Sequence, residues 1–321
     1  MIERLPSGTR DVLPDEMREL RAMTERIRGV FERAGYGEVY TPALEYDRGV
    51  ENHATGNPAY RMFDEHGNVL VLRSDMTVPI ARLVATKYAT AAPPLRFCYF
   101  AHAYRSVRPQ RGQSREFLQA GVELIGAPSP EGTAEALTVL CDALDVVGLE
   151  NYRVGLGHVT LYPALLESLG VEPQQRARIL TDLAHGDFVG VQRELDGLAL
   201  STSDADLLLR VPRMRGGPGI LDDLDGPLVD AGVATMRSVL SLLAPRTAER
   251  VILDLGLVRS LGYYTGAVFE VYDPAYGMPL GGGGRYDDLL GELGRPLPAV
   301  GFALNVERLH IALAGEERGR G

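Results

Sequence analysis

Apolar residues recur at helical spacing at Met17, Leu20, Met23, Ile27, Val30, Phe31 and Ala34, after Pro14 and before the Gly35-Tyr36-Gly37 turn, which predicts an amphipathic helix. Residues 38–41 then read as a brief edge strand stopped by Pro42, followed by an irregular loop over 47–57. A strand over 69–73 leads into a helix over 77–88, with Asp75 in the connection. Two longer strands, 95–105 and 116–125, form a hairpin whose polar connection, residues 108–113, carries Arg108 and Arg111. A helix over 130–147 follows, with Thr133, Ala136, Leu137, Leu140, Leu144 and Val147 along one face.

From 151 to 249 the pattern changes to helical stretches separated by Gly, Pro and Asp clusters, which reads as a mostly helical insertion. Strand signals return at 251–257 and 267–272. The Gly281–Gly284 run reads as a turn before a short helix from Tyr286, and a last helix starts near Asn305. The expected organisation is a core made of residues 1–150 and 250–315, an insertion over 151–249 and a flexible tail over 316–321. Strands followed by packed helices predict an α+β fold, an antiparallel sheet flanked by helices, and disfavour the doubly wound nucleotide-binding fold.

Composition narrows the function. The 321 residues are 45% hydrophobic and 24% charged, as in ordinary globular proteins, and the formal net charge of −10 opposes a broad grip on nucleic acid. The two cysteines, Cys98 and Cys141, lie in apolar runs and make neither a disulfide framework nor a zinc site. His53, His66, His102, His158, His185 and His310 lack metal-ligand spacing, so no metal and no cofactor is expected. The first residues lack the apolar stretch of a signal peptide and no apolar run reaches the roughly 20 residues of a spanning helix, so a cytoplasmic protein without a membrane partner is expected.

The strand over 116–125 carries the most chemical information. Alternation puts Phe117, Gln119, Gly121, Glu123 and Ile125 on one face and Leu118, Ala120, Val122 and Leu124 on the other. The first face holds an amide and a carboxylate roughly 13 Å apart at about 3.3 Å per residue, with Gly121 expected to leave open space between them. That is the floor of a small polar pocket. Two readings stay open for its acid: a ligand contact, or an internal salt bridge from Glu123 to a nearby arginine. Asp75 and Thr77 likewise either meet a ligand or cap the helix that follows them. The Gly281–Gly284 run lacks the spacing and lysine of a phosphate loop, so a close backbone approach is the better reading.

Seven blocks in order carry a resemblance: residues 8–14 (GTRDVLP), 72–77, Arg105 with Arg108-Pro109-Gln110, 119–123, 257–264, 283–287 and 299–308. Together they resemble the class II core of the histidyl-tRNA synthetases. The resemblance implies that Asp75 and Thr77 hold the α-amino group of histidine and that Gln119 orients it. It implies further that Glu123, with Tyr263 and Tyr264, surrounds the imidazole and that Arg259 reaches the carboxylate end. Arg105 and Arg308 stand where residual contacts to phosphate or carboxylate are expected.

Departures from the synthetase pattern point away from catalysis. Val107 stands where a synthetase carries the glutamate that recognises adenine, and Asn305 stands where it carries a glycine against which ATP lies. Asp75 replaces a glutamate, and Gly262 an aspartate. Synthetases also continue into an anticodon-binding domain, for which the sequence after the last helix is expected to leave no room. The chain is therefore similar to the synthetase-like regulatory subunits of ATP phosphoribosyltransferase. That resemblance implies a subunit without catalysis of its own, which activates a short-form catalytic subunit, dimerises through its first helix and residues 40–45 within a hetero-octamer, and transmits inhibition by L-histidine. The alternative it leaves is an enzyme that activates histidine with ATP.

Overall fold

The computed structural model describes residues 5–47, 59–107, 114–224, 229–257 and 262–319. In chain order its first half contains α1 (Pro14–Arg33), β1 (Gly37–Glu38), β2 (Leu44–Tyr46), β3 (Arg61–Phe63), β4 (Val69–Leu72), α2 (Thr77–Lys87), β5 (Leu95–Tyr104), β6 (Glu116–Ile125), α3 (Glu131–Val147) and β7 (Arg153–His158). Helices α4 (Leu161–Ser168), α5 (Pro173–Ala184), α6 (Phe188–Asp196) and α7 (Thr202–Arg210) follow, then β8 (Arg215–Gly216), α8 (Asp230–Leu242), α9 (Pro245–Ala248) and β9 (Val251–Asp254). The chain closes with β10 (Ala267–Asp273), β11 (Tyr276–Arg285), α10 (Leu289–Glu292), β12 (Ala299–Asn305) and α11 (Val306–Gly319).

Nine strands form one sheet in the order β1-β5-β6-β12-β11-β10-β7-β9-β8, antiparallel except where β1 joins β5 and β7 joins β9. Alternation along the strands gives the sheet two different faces. Ala120, Val122 and Leu124 of β6 and Val300, Phe302 and Leu304 of β12 pack into the core that α1, α3 and α11 complete. On the opposite face Phe97, Tyr99, Ile125 and Ala299 meet Met76, Ile80 and Val84 at and within α2, and Leu289 and Leu290 of α10. That second layer is built of short elements, and the polar side chains of β6 lie on its side.

Several expectations change. Arg153–His158 is a strand of the main sheet, paired with β10, where the sequence pattern began the helical insertion. Gly155 and Gly157 conceal it: a side-chain carbon at Gly157 would lie 2.7 Å from the Asp254 carbonyl, so the position takes a residue that strands otherwise avoid. The Gly281–Gly284 run is likewise no turn but the interior of β11, between β10 and β12. A Cβ at Gly283 would fall 2.0 Å from the Gly301 carbonyl oxygen, the close approach the glycines permit. Strand β4 matches the strand expected over 69–73, whereas its partners β2 and β3 in the small sheet, and β12, carry no strand expectation.

The expected flexible tail is helical through Gly319, and Glu316 is buried. Its carboxylate accepts the backbone amides of Glu150 and Asn151 at 2.8 to 3.2 Å, so a polar sequence that looks unstructured is fixed by a tertiary bond. The loops expected at 48–57 and 108–113 lie outside the described residues.

Gly283→Ala is expected to destabilise the chain by about 1 to 3 kcal/mol or more, because the added methyl overlaps a neighbouring strand. Gly277→Ala, in the same strand with open space around it, is expected to stay within about 0.5 kcal/mol of wild type. Urea denaturation of the two variants checks the difference.

Candidate functional site

Asp75 reaches its position through a pinned segment. The Arg73 amide donates to the Ala43 carbonyl and the Arg73 carbonyl accepts from Tyr104, while its buried guanidinium donates to the carbonyls of His102 at 2.8 Å and Thr41 at 2.6 Å. Asp75 Oδ1 accepts the Val78 amide at 3.2 Å and caps α2. Asp75 Oδ2 is buried and receives no hydrogen bond. Each of the two sequence readings therefore takes one oxygen: one caps, and the other is left for a donor from elsewhere. Burial pushes the Asp75 carboxyl above its ordinary range.

Glu123 is 1% exposed, and no described ion pair includes it; of the two open readings, the salt bridge to an arginine is absent among the described residues, and two hydroxyls meet the carboxyl. Thr77 Oγ1 donates to Glu123 Oε1 at 2.8 Å and Tyr286 Oη donates to Oε2. A Cβ at Gly301, opposite Glu123 on β12, would sit 1.9 Å from Oε2, so this carboxyl needs a glycine beside it. Burial raises its pKa to about 8, against the opposing pull of the Tyr286 and Thr77 hydrogen bonds, with a further push from Asp75.

These residues border a cavity of about 280 Å³. Asp75, Thr77, Gln119, Tyr263 and Tyr264 line it, while Glu123 stands behind Thr77 and Tyr286 and not on its wall. Gln119 Oε1 is buried without a partner, so two residues that line one cavity each hold a buried acceptor without a donor. The Tyr263 ring packs edge-on against Tyr264 at 5.0 Å and Tyr286 at 5.8 Å, an aromatic wall suited to a flat ring. Arg105 and Arg308 also line the cavity. Arg105 lies 5.0 Å over the Phe117 ring and donates to the Ser74 carbonyl at 3.3 Å, and Arg308 donates to the Pro279 carbonyl at 2.6 Å. Val107 and Asn305, two of the four departures from the synthetase pattern, line the same cavity. Arg259 lies outside the described residues.

Two tyrosines escaped the sequence reading. Tyr286 follows the glycine run and supplies a hydroxyl to Glu123, a role that no spacing along β6 signals. Tyr99 pairs across from Gly121, and a Cβ there would lie 2.4 Å from its hydroxyl, so the space expected to be open is filled by Tyr99. Cross-strand pairing of a large residue with a glycine was the available signal.

Among known proteins, the family model described as histidyl-tRNA synthetase matches residues 8–309. The ATP phosphoribosyltransferase regulatory subunit of Symbiobacterium thermophilum is 42% identical over 96% of this chain and 79% of its own length. A solved structure of an ATP phosphoribosyltransferase regulatory subunit/histidyl-tRNA synthetase from Bacillus halodurans superposes with a TM-score of 0.90 at 34% identity, covering 97% of this chain and 84% of that one. A histidine-tRNA ligase subunit from Alicyclobacillus acidocaldarius superposes with a TM-score of 0.79 at 30% identity, covering 99% of each chain.

A carboxyl whose pKa is higher in the fold than in the unfolded chain keeps a proton that the unfolded chain has released. Its contribution to stability is full below the unfolded value and is lost as pH rises towards about 8. Glu123→Gln is therefore expected to remove part of the loss of stability between about pH 5 and about pH 9, an effect of a few kcal/mol. Urea denaturation across that range checks it, with the wild-type and variant curves converging or crossing towards alkaline pH.

Proposed function

We propose that this chain, which belongs to the histidyl-tRNA synthetase family and within it to the ATP phosphoribosyltransferase regulatory subunits, binds free L-histidine in the cavity and performs no chemistry itself. The observation that carries this reading is the pair of donorless buried acceptors, Asp75 Oδ2 and Gln119 Oε1. Leaving such groups unpaired costs about 1 to 3 kcal/mol each, and an α-ammonium group supplies donors to both. The imidazole lies against the tyrosine wall, where Tyr264 and the hydroxyls backed by Glu123 meet its ring nitrogens. Arg259 meets the carboxylate.

Val107 offers no acceptor to an adenine amino group, and the Asn305 side chain occupies room that a synthetase leaves for ATP. The rival reading, ATP-dependent activation of histidine, draws on the retained Arg105 and Arg308. The regulatory names of the relatives favour the first.

In this account the chain activates a short-form catalytic subunit of ATP phosphoribosyltransferase, the first step of histidine biosynthesis in the cytoplasm, and carries end-product inhibition to it. Histidine acts by binding one state of the assembly better than another, a coupling of about 1 to 3 kcal/mol. Self-association within a hetero-octamer is supported by exposed apolar residues on and beside the small sheet, Tyr40, Leu44, Tyr46 and Phe63. The reading gives no role to nucleic acid, in keeping with the net charge of −10; no described helix is long and apolar enough to cross a bilayer.

Titrating histidine into the chain alone, and into the chain with a short-form catalytic subunit, is expected to give saturable binding, inhibited phosphoribosyl transfer and no histidine-dependent ATP-pyrophosphate exchange. Asp75→Asn is expected to weaken histidine binding at least about tenfold, or about 1.4 kcal/mol. Exchange activity from the purified chain would favour the rival reading.

A further inference from the structure

Two buried carboxyl groups meet outside the cavity lining. Asp273, at the end of β10, is 3% exposed, and Glu316, in the last turns of α11, is 5% exposed. The two elements press closely: a side-chain carbon at Gly315 would lie 2.8 Å from Cβ of Ala275, whose amide donates to Asp273 Oδ1 at 2.8 Å. Glu316 in turn accepts the amides of Glu150 and Asn151, tying the helix end to the turn between α3 and β7.

Asp273 Oδ2 is buried with no hydrogen-bond donor, and its carboxyl interacts with that of Glu316. Two carboxylates in contact, away from water, do not both remain ionised. One proton between them converts repulsion into an O–H···O bond and supplies the donor that Oδ2 lacks. The nearby cations are anchored on carbonyls: Arg250 on Glu150 and over the Tyr152 ring, Arg153 on Tyr152, and Arg318 on Ala314. Glu150, in the turn, adds a further acid, and Glu317 is exposed on α11 itself.

We propose that Asp273 and Glu316 share one proton and form a pH-operated latch that holds the end of α11 against the β10–β11 turn. Release of that proton to solvent leaves two facing anions, and the helix end loosens. Burial first, and then the neighbouring Glu316, pushes the Asp273 carboxyl above its ordinary range, in keeping with a retained proton. The stabilisation is complete below the unfolded carboxyl pKa and is lost as pH rises through the folded one. Arg308, in the first turn of the same helix, lines the cavity, so the latch acts on the element that carries a cavity residue.

Hydrogen exchange of the Glu150 and Asn151 amides in the full chain, corrected for intrinsic pH dependence, tests this. Wild-type protection is expected to fall as pH rises from about 4 towards about 9, and Asp273→Asn, whose amide donates at every pH, is expected to hold it flat. Glu316→Gln provides a second route should the first variant fold poorly, its flattened profile then read at the α11 amides. Glu123→Gln is expected to keep the wild-type slope at these amides, which separates the latch from the cavity carboxyl. A pH-independent wild type, an unchanged slope in both latch variants, or full protection restored at high pH by added calcium would overturn the proposal.

Discussion

A carboxyl group buried without a counter-charge governs the site. Glu123 is tolerated because hydroxyls from two distant segments converge on it, Thr77 at the start of α2 and Tyr286 after β11, and because Gly301 leaves it room. Burial of a charge there costs more than the two hydrogen bonds return, so the pKa is pushed up to about 8, and the group behaves as a polar hub. Three stretches of chain are thereby brought to one point of the sheet. The donorless acceptors of Asp75 and Gln119 then line the same cavity, and the site is incomplete until something with donors enters.

In the proposed reading, that incompleteness is what separates a sensor from a vestigial core. A protein that had lost its ligand would be expected to refill such a cavity or pair its buried oxygens internally, because each unpaired group weakens the fold. Here Asp75 and Gln119 keep buried acceptors without donors, while Val107 and Asn305 line the cavity where the proposed reading has nucleotide binding lost. Binding energy not spent on chemistry is available to bias one assembly state over another.

Much of this was legible in the sequence where a pattern is local. The alternation along β6 separated core from pocket, and the helical periods of α1, α2 and α3 were read nearly to their ends. Illegible parts have a common cause, in that their signal lies across strands. Gly157, Gly281, Gly283 and Gly284 look like breakers along the chain, yet they sit in strands because a neighbouring backbone leaves no room for Cβ. The Tyr286 partner of Glu123 is hidden for the same reason, because Tyr286 is close to it only in space. Glu316, in a stretch that reads as solvated tail, is held by amides from the other half of the chain.

The most direct measurement is a crystal structure of the chain grown with histidine. The account predicts one histidine in the cavity, its α-ammonium within hydrogen-bond distance of Asp75 Oδ2 and Gln119 Oε1 and its ring against Tyr263 and Tyr264. An empty cavity at saturating histidine, or histidine bound only elsewhere, would contradict it.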